Sequence, residues 1–381
     1  MASPPKSRFA SLKNSPTDVK AKLQAALYYA RKERKKKNLF DPSLLFNIDS
    51  KGAWYDPSDI KTLFQDSAGS TPVTALGQPV GRMLDKSGQG NNALQATAAA
   101  RPTYARVPVG GVRNRANGSA AVSDSAFWPV ASEQDGVTAT RIGQGIDTDG
   151  LPYADIRYTG TTTNNFQATA YSRTNSRFPA VQGETWTASV RMQLIAGAIP
   201  RAGSGVRVAV RELTAAGEYL TENGEANYSG ATESLRSHTR TLTSPSVGLV
   251  ETAIILRDIA IGDVVDVTYR FKGLQLESGS VTTPYQANMS VFDITETGRG
   301  SRSALFDDLV DDTLATTLPA GTYTIATIDD AGVTILTGQV LSAGSYTIPG
   351  PRRLYGAVII NRALSESETA SLTAWLNPRR P

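Results

Sequence analysis

The sequence predicts a mainly β protein that carries an α-helical arm at its N-terminus. Glycine (33) and proline (20) punctuate the 381 residues, and short runs rich in Thr, Val and Tyr lie between them, which is typical of strands joined by turns. At about 100–200 residues per domain, the chain is long enough for two or three folded units. Because it has no cysteine, disulfide scaffolds, zinc–thiolate sites and cysteine nucleophiles are excluded.

Residues 1–48 form a basic arm. Residues 1–38 hold eleven Lys or Arg and two acids, a net charge of +9, so residues 39–381 carry −5 of the formal total of +4. Apolar residues from position 19 onward fall at helical spacing, and a lone amphipathic helix of this kind needs a partner. We expect it to dock on another protein or on copies of itself, and packing on the body of the same chain is the alternative. The predicted anchoring residues are Val19, Leu23, Leu27, Tyr28, Arg31, Lys32, Leu39 and Phe40.

Short motifs mark both ends of the body of the chain. Its start has Trp-Tyr-Asp-Pro-Ser-Asp at 54–59, a Gly- and Asn-rich turn at 85–91 and Ala-Arg-Pro-Thr-Tyr at 100–104. In the turn, the carboxylate of Asp85 is expected to accept hydrogen bonds from backbone amides. Near the C-terminus, the β-branched run 358–360 predicts a core strand.

A capped helix is predicted directly after this last strand. Ser365 and Glu368 have the spacing of a capping box, and the sequence around them reads Asn-Arg-Ala-Leu-Ser-x-x-Glu. Few strands are expected between residues 324 and 349.

These motifs resemble the two ends of a concanavalin-like or laminin-G-like jelly roll, a module that is widespread in phage tail and fibre proteins. The two ends are far enough apart in sequence to imply an insertion. The piece between them contains the motifs Gly-Glu-Thr-Trp at 183–186 and Gln-Leu-Glu-Ser-Gly at 275–279. It resembles a carbohydrate-binding-module-like β-sandwich.

The resemblance implies two jelly-roll β-sandwich domains, one inserted in the other. The outer domain comprises residues 49–114 and 291–381, and the insert comprises residues 115–290. Alternating apolar and polar residues at 186–192, 206–212 and 264–271 support strands in the insert with one face in a core.

The resemblance further implies a structural virion protein of a tailed bacteriophage, of the tail-fibre, baseplate-associated or head-fibre type. Its expected partners are other phage virion proteins, a host cell-surface glycan and further copies of itself. The alternatives are a decoration or adaptor protein of capsid or tail without a ligand, and a polysaccharide-degrading tail enzyme. No apolar run is long enough for a membrane span, and nucleic acid is a minor alternative because the basic charge is confined to the arm.

We expect sugar binding on the stretch from 153 to 171, where aromatic and amide side chains flank a polar, turn-like segment. The predicted contact residues are Tyr153, Tyr158, Asn164, Asn165, Phe166, Gln167 and Tyr171.

No catalytic residue is predicted. The single histidine, His238, lies in a polar stretch and is expected in an exposed loop or at a strand edge. Asp307 and Asp308 are expected to be strand neighbours that point to opposite faces, so they make no glycosidase pair. No cofactor is expected, with calcium as an alternative. Its candidate ligands are Asp85, Asn91, Asp307 and Asp312.

Overall fold

The structure is a computed structural model that describes residues 40–47, 49–125, 127–128, 131–164, 176–350 and 352–380. These residues are mainly β, as the sequence predicted. The predicted anchoring residues Val19, Leu23, Leu27, Tyr28, Arg31, Lys32 and Leu39 lie outside the described residues, whereas Phe40 is described and half-buried. Among the described helices, none is long and apolar enough to cross a membrane.

The chain divides into two compact units. The first contains residues up to 105 and from 302 onward, and the second contains residues 106–301. The sequence placed these boundaries at 114/115 and 290/291. Residues 106–114 belong to the second unit because they bond to residues 286–300, for example through the Val109 amide and the Gly300 carbonyl at 2.8 Å.

The first unit contains two sheets around one apolar core. Its strands up to the boundary are β1 (Gly52–Tyr55), β2 (Leu63–Phe64), β3 (Arg82–Met83), β4 (Ala93–Leu94) and β5 (Thr103–Pro108). The remaining elements are β18 (Ser301–Phe306), β19 (Ala315–Leu318), β20 (Gly321–Asp329), β21 (Val333–Leu341), β22 (Gly344–Thr347), β23 (Arg353–Ile360) and the helix α1 (Glu366–Leu376). In one sheet β23 pairs with β1, β18 and β20, and β20 pairs with β21. The other sheet has the order β2-β3-β4-β19-β22.

Three local predictions for this unit are confirmed and one is wrong. All residues of β23 are buried, Ser365 and Glu368 form the capping box of α1, and Asp85 accepts from the amides of Ser87 and Asn91 at 2.8 and 3.0 Å. The expected shortage of strands between 324 and 349 is wrong, since β21 and β22 lie there. These two strands contain residues that favour strands, such as Thr, Val, Ile and Tyr, although apolar and polar residues do not strictly alternate along them.

The second unit also contains two sheets around an apolar core. The six-stranded sheet has the order β13-β10-β15-β8-β7-β6, and the four-stranded sheet has the order β12-β11-β14-β9. The strands of these two sheets are β6 (Ala131–Gln134), β7 (Val137–Ile146), β8 (Pro152–Thr161), β9 (Phe178–Pro179), β10 (Thr185–Gly197), β11 (Gly205–Leu213), β12 (Tyr219–Gly224), β13 (Ser234–Thr241), β14 (Leu249–Arg257) and β15 (Val264–Ser278). Two further strands of the unit, β16 (Gln286–Ser290) and β17 (Asp293–Glu296), pair with each other.

Alternation assigns the faces of the six-stranded sheet. On β10, Trp186, Ala188, Val190 and Met192 enter the core, so the residues between them project from the outer face. On β15, Phe271 enters the core in the same way, and Lys272 therefore lies on the outer face. The polar half of the alternation thus builds a second surface on this sheet, opposite the core.

Candidate functional site

A cleft of about 410 Å³ lies on the outer face of the six-stranded sheet. Its floor is formed by side chains of two neighbouring strands, β10 and β15, in two cross-strand pairs: Ser189 opposite Gln275 and Arg191 opposite Lys272. Antiparallel partners project to the same side of a sheet, so all four side chains meet on one surface. Gly273 of β15 also lines the cleft, and three segments distant in sequence complete the lining with Leu151, Leu235, Thr282, Thr283, Pro284 and Tyr285.

A β-bulge shapes one wall of the cleft. Between the pairs Ser189–Gln275 and Arg191–Lys272, β15 has one residue more than β10. Gly273 lies in this bulge with a φ of +62°, a conformation that glycine adopts at little cost. A Cβ atom at Gly273 would lie 3.4 Å from the ring of Tyr285. The ring of Tyr285 therefore lies close over this position of the strand at the edge of the cleft, and the positive φ is what favours glycine there.

The ammonium group of Lys272 is held by three carboxylates. Its Nζ atom lies 3.0 Å from Asp147, 2.7 Å from Asp149 and 2.6 Å from Glu233. Burial alone would lower the pKa of Lys272, but its ion pairs with these carboxylates outweigh burial and raise the pKa above its ordinary value. The side chain is 5% exposed, so this one charge of the floor is shielded from solvent.

These ion pairs connect the floor to two walls of the cleft. Asp147 and Asp149 lie in the turn between β7 and β8, which leads to the wall residue Leu151. Glu233 directly precedes β13, which carries the wall residue Leu235. Lys272 therefore fixes the positions of two loops on either side of the floor.

Tyr153 lies next to the cleft, and its predicted contact with a sugar stays a prediction. It is the cross-strand partner of Lys272, and its half-buried ring lies 3.9 Å from the guanidinium carbon of Arg270. Arg270 in turn makes a bidentate ion pair with Asp155 at 2.8 and 2.9 Å. One face of the Tyr153 ring is thereby covered by a cation that already has a carboxylate partner.

The other predicted contact residues have different positions. Tyr158 is 0% exposed in the core of the second unit, so its assignment to a sugar-binding surface is wrong. Five residues separate Tyr158 from Tyr153, and an odd separation along a strand places two side chains on opposite faces. Asn164 is exposed beyond the end of β8. Asn165, Phe166, Gln167 and Tyr171 lie outside the described residues.

The cleft itself was missed by the sequence interpretation. Ser189 and Arg191 were part of the predicted strand 186–192, whose polar face was expected to meet solvent, and Lys272 and Gln275 follow the predicted strand 264–271. The available signal was the glycine at 273, which interrupts a long alternating strand and is typical of a bulge or of a close approach by another group.

His238 lies on β13, the edge strand of the six-stranded sheet, so the predicted strand-edge position is confirmed. Burial lowers the pKa of its imidazole, and the nearby Glu225 acts in the opposite direction.

A second polar cluster lies in the first unit, after β18. Carboxylate oxygens of Asp307, Asp308 and Asp312 lie within 4.8 Å of one another. The premise that Asp307 and Asp308 are strand neighbours is wrong, because β18 ends at Phe306. Calcium at Asp307 and Asp312 stays a prediction.

The other two predicted calcium ligands serve a turn. Asp85 accepts hydrogen bonds from the Trp54, Ser87 and Asn91 amides at 2.8–3.0 Å. The side-chain nitrogen of Asn91 donates to the Gly52 carbonyl at 2.6 Å. With these groups already bonded to protein, the structure favours a turn-building role for Asp85 and Asn91.

We expect replacing Asp312 with asparagine to stabilise the protein at neutral pH. Burial raises the pKa of Asp312 to about 6, and the carboxylates of Asp308 and Asp307 add to the shift. A raised carboxyl pKa means that the folded state binds the proton more tightly, so the free energy of unfolding falls as pH rises from about 4 to about 6. The variant should gain about 1 kcal/mol at about pH 8 and nothing at about pH 4 in calorimetric unfolding.

Asp311→Asn is the matched control: Asp311 is exposed and adds less than Asp308 or Asp307 to the raised pKa of Asp312, so the variant should shift the pH profile only slightly. Equal stabilisation of the Asp312→Asn variant at both pH values would contradict the assignment. If calcium raises the melting temperature of the original protein but not of this variant, the predicted calcium site is favoured.

Comparisons with known proteins give only distant likenesses. No protein-family model matches the chain, and no curated protein matches it. Among solved structures, the enzymatically active domain of tailspike protein 4 of bacteriophage CBA120 is 13% identical, with a TM-score of 0.27, over 44% of this chain and 22% of that chain. The match thus spans about a fifth of the tailspike's length.

Two further neighbours are carbohydrate-binding proteins. A CBM4 structure is 13% identical, with a TM-score of 0.24, over 47% of this chain and 88% of that chain. The CBM22-1 xylan-binding domain of Xyn10C from Paenibacillus barcinonensis is 10% identical, with a TM-score of 0.24, over 45% of this chain and 94% of that chain. At TM-scores this low, the likenesses decide no function, and the cleft has to be interpreted from its own residues.

Proposed function

We propose that this chain is a structural virion protein of a tailed bacteriophage and that its second unit binds a host surface glycan in the cleft. The observation that carries the proposal is the cleft itself, in which an aromatic ring borders a floor of polar side chains. The motifs at both ends of the body support the virion assignment, because they resemble a module that is widespread in phage tail and fibre proteins. The basic arm supports it as a predicted anchor.

The lining of the cleft suits a carbohydrate. A volume of about 410 Å³ falls within the range of about 300–1,000 Å³ that is typical of small-molecule sites. A sugar ring presents an apolar C–H face and a rim of hydroxyl groups. Tyr285 and Leu235 offer apolar surface to the first, and Ser189, Gln275 and Arg191 offer hydrogen-bonding groups to the second.

The carboxylates around the cleft favour binding without cleavage. A glycosidase needs a carboxylic acid whose pKa is raised, so that it is protonated when it meets the substrate. A hydrogen bond from the Thr148 amide and contacts with Lys272 lower the pKa of Asp147 instead. Burial acts to raise the pKa of Asp149, but hydrogen bonds from Lys272 and from the Leu151 amide outweigh it and lower that pKa as well.

In the virion, the N-terminal arm would attach the chain to tail, baseplate or capsid proteins, and several copies would act together. Single sugar sites bind weakly, and closed symmetric assembly lets them engage a surface at the same time. A decoration or adaptor protein would use the same arm without any ligand. The two roles differ in whether the second unit recognises sugar at all.

A glycan array tests the proposal, with the full chain and its Tyr285→Ala variant applied in parallel. We expect the original protein to bind a restricted set of glycans, and the variant to bind the same set about tenfold more weakly or worse because the apolar platform is lost. Incubation with the bound polysaccharide should release no new reducing ends.

Tyr219→Ala is the matched control, since Tyr219 is 59% exposed on β12 of the other sheet and should not affect binding. Tyr285→Phe keeps the ring and should keep most of the affinity, which shows that the ring and not the hydroxyl group carries the binding. An array without any bound glycan would favour the decoration or adaptor role, and release of sugar fragments would favour the enzyme.

A further inference from the structure

Two positively charged side chains lie next to each other on the floor of the cleft, and a neighbouring carboxylate offsets their repulsion. Arg191 and Lys272 are direct cross-strand partners, and like charges at such positions repel. Glu233 lies between them, with one carboxylate oxygen 3.5 Å from Arg191 and the other 2.6 Å from Lys272. Its bridging carboxylate makes the arrangement stable.

Each cation of the floor already has a carboxylate partner. Lys272 and Arg191 face the carboxylates of Asp147, Asp149 and Glu233, so two positive and three negative groups leave a net charge of −1. The neighbouring Arg270–Asp155 pair adds no net charge. An incoming anion would therefore meet a site that is negative overall and in which each cation lies beside a carboxylate.

The same carboxylates remain accessible on their outer side. The side chain of Asp149 is 41% exposed and that of Glu233 is 29% exposed. Ionised carboxylates only accept hydrogen bonds, and a hydroxyl group can donate to them. An uncharged sugar with many hydroxyl groups can use these acceptors, whereas a carboxylate, sulfate or phosphate group has no proton to offer them.

We propose that the cleft selects uncharged glycans over acidic ones and that Glu233 sets this specificity. This inference rests on the proposed glycan-binding function. An acidic sugar that binds Arg191 would bring its negative charge beside Glu233, whose carboxylate lies 3.5 Å from the guanidinium. It would either be repelled by that carboxylate or displace it, and displacement would leave the buried Lys272 with fewer partners and return the repulsion between Lys272 and Arg191. An uncharged sugar requires no such rearrangement.

The test measures binding of matched neutral and acidic oligosaccharides by calorimetry. The probes are oligomers of glucose, galactose and N-acetylglucosamine, compared with oligomers of glucuronic and galacturonic acid of the same length. We expect the best neutral oligomer to bind about tenfold tighter than any acidic one. Its affinity should stay constant as salt is raised from about 50 mM to about 500 mM, since screening acts on charges alone.

Glu233→Gln tests the residue itself. The variant leaves Arg191 without a carboxylate partner, so the preference for neutral over acidic sugars should fall about fivefold or more, mainly because acidic sugars gain affinity. Glu218→Gln removes the same charge from an exposed position in the turn between β11 and β12 and should leave the preference unchanged.

The outcomes separate this inference from the function on which it rests. Tighter binding of acidic oligomers, or an unchanged preference in Glu233→Gln, would overturn the selectivity while leaving glycan binding intact. Failure of the original protein to bind any of the oligomers would overturn both.

Discussion

Replacing Asn114 with alanine is expected to lower the free energy of unfolding of the second unit by about 3 kcal/mol. The side chain is 0% exposed. Its amide nitrogen donates to the carbonyls of Leu274 and Gln286 at 3.1 and 3.0 Å, and its oxygen accepts from the Ala116 and Leu276 amides at 3.0 and 3.2 Å. Alanine would leave these buried backbone groups without partners, and calorimetric unfolding measures the loss.

The control is Asn223→Ala on β12, where the side chain is exposed and the expected change is below about 0.5 kcal/mol. The hydrogen bonds of Asn114 connect residues 106–114 to β15 and β16. If Asn114→Ala had the same free energy of unfolding as the original protein, the hydrogen bonds of Asn114 would not stabilise the second unit. The assignment of residues 106–114 to that unit would then lose its support.

Replacing Lys272 with methionine is expected to cost about 2 kcal/mol of stability and to abolish glycan binding. Removing one partner of a buried ion pair costs about 3–5 kcal/mol, and the partial exposure of the three carboxylates reduces that figure. Without the ammonium group, Asp147, Asp149 and Glu233 repel one another, so the loops that they anchor should move apart. Calorimetric unfolding and binding to the best array glycan measure the two effects.

Lys61→Met is the matched control, because Lys61 is exposed in the first unit and its loss should change neither quantity. Full binding by Lys272→Met would show that the walls of the cleft do not depend on the ion pairs at its floor. That outcome would contradict the positioning role given to Lys272.

Local patterns were sufficient to predict much of the fold. Alternation identified β10, β11 and most of β15 because a strand with one face in a core must alternate. The capping box at Ser365 and Glu368 was readable because both partners lie within one helical turn. Each of these features depends on residues that are close in sequence.

The cleft was not readable because it depends on pairing between distant strands. Arg191 meets Lys272 only through the register of β10 with β15, and the walls come from turns near residues 151, 235 and 285. Tyr158 was misplaced for a related reason, since a shift of one residue moves a side chain from the surface to the core. Composition and turn signals contain no information about register.

The most direct test of the central claim is to map where a glycan contacts the protein. Amide resonances of the isotope-labelled full chain would be followed by NMR during titration with the best array glycan. We predict that the largest shifts fall on Ser189, Gly273 and Gln275 and on the neighbouring turns of the cleft. Shifts confined to the four-stranded sheet or to the first unit would contradict the assignment of this cleft as the binding site.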